Sequence, residues 1–225
     1  MTQRTAYEAV LARRAAACGR AGRSVDSVGI VAVSKTFPAA AVRELADCGQ
    51  RVFGENRVQE GLAKIVEVGP GVSWHLVGHL QANKARDAVG RFALIHSVDT
   101  ERLAREIDRR AAERGLRQAV LVQANLSREA TKSGVGEEGL GPLLETIVAL
   151  GHVQLRGFMI IPPPAERAED SRRWFAALRE LRDRAAERLG QSLPELSMGM
   201  TDDFEVAIEE GATLVRIGRA IFGER

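Results

Sequence analysis

Eight short apolar runs, separated by segments of helical pattern, constrain this sequence more than any other feature. They fall at 29–33, 51–53, 72–77, 92–97, 118–125, 153–161, 193–198 and 213–217. Most are dominated by β-branched and large aliphatic residues, as expected of strands buried on both faces. The intervening segments, such as 39–48, 166–189 and 202–210, are rich in Ala, Arg, Glu and Leu. Strands alternating with helices make a parallel sheet, because each helix is the crossover that returns the chain to the same end. Eight such units predict an α/β fold, a single (β/α)8 TIM-type barrel. A lead-in helix is expected over 5–20. An open doubly wound sheet is the structural alternative, but no Gly-x-Gly-x-x-Gly follows the first strand. The even spacing leaves no linker, so residues 1–225 are expected to form one domain, without a C-terminal β domain.

Charge and cysteine content narrow the function classes. The formal net charge is +2 with both signs interspersed, which makes no electrostatic case for nucleic acid. No apolar run reaches the length of a membrane span, and residues 1–14 lack a signal-peptide pattern. Cys18 and Cys48 form neither a disulfide framework nor a metal-ligand set. His75 and His79 are separated by a strand end and Gly78, so no metal pair is expected; one of them should line the barrel mouth and the other pack locally. A cytoplasmic protein that acts as a monomer is expected.

In a barrel, chemistry sits at the carboxyl ends of the strands. Here those ends carry Lys35, Glu55-Asn56-Arg57, His75, Asn125, Met159, 197–201 and Arg216-Ile217-Gly218. Lys35 stands out because only four of the 32 basic residues are lysines: Lys35, Lys64, Lys84 and Lys132. A lysine in an arginine-rich chain is either a snorkelling surface charge or an amine kept because it can lose its proton and attack a carbonyl. Loops after strands seven and eight of barrels often bind phosphate. Ser197-Met198-Gly199-Met200-Thr201-Asp202 offers hydroxyls and small residues there, and Gly218 allows close backbone approach. A lysine on strand one beside such a cradle meets the needs of pyridoxal phosphate: an amine for its aldehyde, a site for its phosphate and a partner for its ring nitrogen.

The chain resembles the pyridoxal-phosphate homeostasis proteins in VAVSKTFP, FGENRVQE, WHLVGHLQANK, HSVD, QANLSREATKSGV, GFMIIPP and LSMGMTDDFEVAIEEGATLVRIGRAIFG, in that order and nearly end to end. The resemblance implies a fold like the barrel domain of alanine racemase, with pyridoxal phosphate as cofactor. Its implied role is supply or buffering of that cofactor, with effects on amino-acid and keto-acid balance, and PLP-dependent apoenzymes as recipients. By position, Lys35 would form the internal aldimine and Asn56 would lie beside the ring. Ser197 and the following loop with Met200 and Thr201, together with Gly218 and Arg219, would hold the phosphate, and Arg216 would face the ring nitrogen. His75 joins the cofactor-binding candidates. Phe37 replaces a second lysine found in some relatives.

Arg216 stays protonated and would keep the ring nitrogen unprotonated, which weakens the ring as an electron sink. A two-base racemase needs a second acid/base opposite the lysine. In alanine racemase that group is a tyrosine from an additional domain, whereas the one tyrosine here is Tyr7, in the lead-in helix. A cofactor-binding protein is therefore favoured over the alternative, a PLP-dependent amino-acid racemase. A third reading is a cofactor-free Schiff-base aldolase. Lys132 is either a solvated loop charge or a relay amine. Trp174 and Phe175 are expected in the core, and Lys64 and Lys84 have no special claim.

Overall fold

A computed structural model describes residues 2–127 and 133–224. Its order is α1 (Gln3–Arg20), β1 (Gly29–Val33), α2 (Ala39–Asp47), β2 (Val52–Glu55), α3 (Val58–Val68), β3 (Ser73–Leu76), α4 (Ala85–Ala88), β4 (Leu94–Val98), α5 (Glu101–Ala112), β5 (Gln118–Gln123), α6 (Glu137–Ala149), β6 (Val153–Met159), α7 (Arg172–Leu189), β7 (Glu195–Ser197), α8 (Phe204–Glu209), β8 (Leu214–Ile217) and α9 (Arg219–Phe222). The strands close into a barrel in sequence order, and β1 completes it by pairing in parallel with β8, Val31 opposite Arg216.

Strand periodicity decides what enters the barrel. Along β1, Ile30 and Ala32 join the large core between sheet and helices, whereas Val31 and Val33 pack with Val77 in a separate cluster inside the barrel. Leu94, Leu121 and Met159 form another interior cluster. Because side chains alternate with a period of two, the residue after Val33 with the same parity is Lys35. The same rule on β8 sends Val215 and Ile217 to the helices and leaves Arg216 for the interior. Gly54 shares the interior parity on β2, where a Cβ would come within 2.9 Å of Val31.

Local chemistry moved several boundaries from those expected. The sixth strand ends at Met159, before the prolines at 162–164. The expected helix over 166–189 is two elements, a 3-10 turn at Ala168–Ser171 and then α7, with Asp170 accepting from the Arg167 amide and guanidinium around the turn. The expected helix at 202–210 begins only at Phe204. The short helices α4 and α9 had no expectation attached. The lead-in helix starts earlier, at Gln3, where the Thr2 hydroxyl accepts from the Thr5 amide at 3.2 Å. It packs on α8 and α9. Phe175 is fully buried, and Trp174 packs at the core margin.

Candidate functional site

A cavity of about 610 Å³ opens at the carboxyl ends of the strands, a volume within the range of small-molecule sites. Lys35, Asn56, Met200, Thr201, Arg216, Gly218 and Arg219 all line it, beside His79, Gln123 and Phe37. Seven candidates from distant parts of the sequence thus meet in one place. The remaining two do not line it. Ser197 and His75 are buried inside the barrel, where each hydrogen-bonds to His96. Of the two histidines singled out, His79 is the one at the mouth, half-exposed and 3.6 Å from Asp99. Among the described residues no cluster suited to a metal ion occurs. Lys132 lies outside the described residues.

Lys35 sits in a tight turn. Phe37 donates its amide to the Ser34 carbonyl at 3.0 Å, and Thr36 takes a φ of 70°. That left-handed conformation suits Gly or Asn; for threonine it costs about 1–2 kcal/mol, which surrounding contacts must offset. One such contact is the Thr36 amide donating to Glu60 Oε1 at 2.5 Å. Another comes from the far end of the chain, where Phe37 stacks on Phe222 with centroids 5.2 Å apart. Asn56 is placed by a close approach of two loops. Gly78 runs so near it that a Cβ there would lie 2.3 Å from the Asn56 carbonyl oxygen.

Arg216 is buried, and its hydrogen bonds end on neutral oxygens. It donates to the Ser197 carbonyl at 2.7 Å, to Ser197 Oγ at 2.8 Å and to the Ile160 carbonyl at 2.8 Å. Burial pushes its pKa down to about 10, which still leaves it charged at neutral pH. A guanidinium spends donors on neutral groups at a cavity wall where a ligand's acceptor can meet it. Behind it runs a chain of hydrogen bonds. Ser197 Oγ lies 2.8 Å from His96 Nδ1, and His96 Nε2 lies 3.0 Å from His75 Nδ1. Burial lowers the His75 pKa to about 4 and holds that of His96 well below the usual histidine range, where the charges of His75 and Arg216 add to the effect. With both rings neutral, each histidine carries one N–H, and Arg216 donates to Ser197 Oγ at the head of the chain.

Sequence reasoning missed His96 and the group beneath Lys35. Lys64 is buried and bonds to Glu55 Oε1 at 2.7 Å and to Glu60 Oε1 at 2.8 Å. Burial raises the Glu55 pKa against the opposing hydrogen bonds from Lys64 and Ser34. At Glu60, burial also pushes upward, but hydrogen bonds from Lys64 and the Thr36 amide outweigh it and hold the pKa low. The signal was available: Lys64 has the same rarity as Lys35, and Glu60 precedes it by one helical turn. Tyr7 lies at the opposite end of the barrel, its hydroxyl donating to Gln50 Oε1 at 3.0 Å while Gln50 bonds to the Ile30 and Val52 carbonyls.

A parallel eight-stranded barrel with a lysine after its first strand and a buried arginine on its last defines a class, the alanine racemase N-terminal-domain barrels. The family model described as Alanine racemase, N-terminal domain, matches residues 15–225. Full-length similarity is narrower. The Pyridoxal phosphate homeostasis protein of Aquifex aeolicus is 48% identical over 96% of this chain and 95% of its own length. That of Escherichia coli K12 is 42% identical over 93% and 91%. Among solved structures, PipY of Synechococcus elongatus PCC7942 with PLP bound is 41% identical, with a TM-score of 0.84 over 95% of this chain and 100% of its own. Alanine racemase of Corynebacterium glutamicum shares the fold, at 18% identity and a TM-score of 0.70, over 97% of this chain and 61% of the racemase. The chain belongs to the alanine racemase N-terminal-domain family and, within it, to the pyridoxal phosphate homeostasis proteins.

Proposed function

We propose that this protein binds pyridoxal 5'-phosphate in the mouth cavity and serves intracellular homeostasis of that cofactor. The observation that carries the reading is the meeting of Lys35 and Arg216, from the hydrogen-bonded neighbours β1 and β8, at one cavity. The residues present fit the cofactor. Lys35 supplies a primary amine, Arg216 a buried donor-only cation, and Thr201, Gly218 and Arg219 a polar rim suited to phosphate. Bound there, the cofactor supplies an aldehyde carbon that a primary amine can hold covalently. Lys35 would be that amine, Arg216 would hold the ring nitrogen, and Asn56 would lie beside the ring. Ser197 acts from beneath by accepting directly from Arg216, and His75 by way of His96 and Ser197.

The protein acts as a cytoplasmic monomer that passes the cofactor to PLP-dependent apoenzymes. Among the described residues, no helix is long and apolar enough to cross a membrane. Purified protein mixed with pyridoxal phosphate should show a visible absorption band, which borohydride reduction should convert to a stable adduct located by mass spectrometry on Lys35. The band should be absent in Lys35→Ala. A protein that remains colourless, or an adduct on another lysine, would overturn the assignment.

A further inference from the structure

Beneath the turn that carries Lys35 lies a buried charge cluster that cofactor recognition does not use. Lys64, on α3, is only 5% exposed. Its Nζ donates to the Ser34 carbonyl at 2.7 Å, to Glu55 Oε1 at 2.7 Å and to Glu60 Oε1 at 2.8 Å. These three bonds use every proton of the ammonium, and each leads back to the Lys35 turn. The first holds the Ser34 carbonyl directly. The second holds the carboxylate that accepts from the Ser34 hydroxyl at 2.6 Å. The third holds the carboxylate that accepts from the Thr36 amide at 2.5 Å. Both chain neighbours of Lys35 are therefore tied to one amine.

Stability alone does not account for this arrangement. Burying an ion pair gives little net stabilisation over apolar packing of similar size. Here it also leaves Glu55 Oε2 buried without a hydrogen-bond partner. What the cluster does supply is a fixed conformation for a turn whose third residue, Thr36, is left-handed.

We propose that Lys64 is a positioning residue for Lys35: through Ser34, Glu55 and Glu60 it locks the turn so that the Lys35 amine is presented at the cavity. The proposal rests on the reading that the cavity takes pyridoxal phosphate. It assigns the cluster to covalent capture, in which the Lys35 nitrogen bonds to the aldehyde carbon and one water leaves. Recognition of the ring and phosphate belongs to Asn56, Arg216 and the residues after β7 and β8.

Two probes separate these roles: pyridoxal 5'-phosphate, and pyridoxine 5'-phosphate, which keeps the ring and phosphate but has an alcohol in place of the aldehyde. Equilibrium binding of both is measured by calorimetry, and capture by the rate of borohydride-trapped adduct on Lys35. In Lys64→Met, capture should slow by at least about tenfold, since small displacements of a reacting group are costly. Binding of the alcohol analogue should stay within about twofold, because its contacts are untouched. Lys64→Arg should regain part of the rate by restoring donors to the same oxygens. Glu60→Gln, at a partly exposed site that tolerates substitution, should slow capture a few-fold with the fold intact; it carries the test if Lys64→Met does not fold. Unchanged capture in Lys64→Met, or in Glu60→Gln when Lys64→Met is unfolded, would overturn the proposal. So would an equal loss for both probes, which marks general damage to the mouth. Wild-type protein that captures no aldehyde would instead overturn the cofactor reading and this proposal with it.

Discussion

Acidification should unfold this protein partly through its barrel interior, and His75 makes that contribution measurable. Burial holds its folded-state pKa at about 4 against an ordinary value of 6.5. The neutral ring is favoured in the fold and the charged ring in the unfolded chain. The stability is therefore fully present above pH 6.5 and drains as pH falls towards 4. That difference in pKa corresponds to about 3 kcal/mol, of which roughly 2 kcal/mol is lost between pH 7 and pH 4.5. Carboxylates and His96 also titrate on the way down, so the informative quantity is a difference between proteins. His75→Asn supplies an oxygen near the position of Nδ1, able to accept from His96 Nε2, and removes the titrating ring. Urea unfolding followed by tryptophan fluorescence should show wild type losing about 2 kcal/mol more than His75→Asn between pH 7 and pH 4.5. Parallel pH profiles, differing by less than about 0.5 kcal/mol in that loss, would refute the claim that a neutral histidine is buried there.

Gly78→Ala should destabilise the protein by about 1–3 kcal/mol and weaken cofactor binding, because its Cβ would press on the Asn56 backbone at 2.3 Å; thermal melts and cofactor titration would check both. Tyr7→Phe removes the hydroxyl that Gln50 accepts from near the starts of β1 and β2. It should cost about 1–2 kcal/mol in urea melts while leaving cofactor affinity unchanged; an altered affinity would mean that the two barrel ends are coupled.

The barrel was legible because its cues are local. Most strands announce themselves by β-branched or large aliphatic residues and the small or polar residues that stop them, and eight repeats permit closure. Once β1 is seated with Val31 and Val33 facing inward, alternation carries Lys35 into the interior register. The details that differed were also local, but weaker: the turns before the helix starts at 172 and 204 are set by single side-chain bonds, Asp170 to the Arg167 amide and Asp203 to the Met200 amide.

Pairings between distant residues were another matter. Nothing in the spacing of His75, His96 and Ser197 says that they form one hydrogen-bonded chain behind Arg216, because the contacts join β3, β4, β7 and β8 only once the barrel is closed. Nor does sequence show that Phe37, standing where some relatives have lysine, finds Phe222 at the other end of the chain. The sequence by itself determined the barrel, its lysine and the residues able to surround a cofactor, since periodicity and punctuation are written residue by residue. Only the tertiary structure decided that Lys64 grips the turn of Lys35 and that His75 lies beneath the cavity while His79 borders it. Burial and hydrogen-bond partnership belong to the packed strands and helices together, not to any one segment.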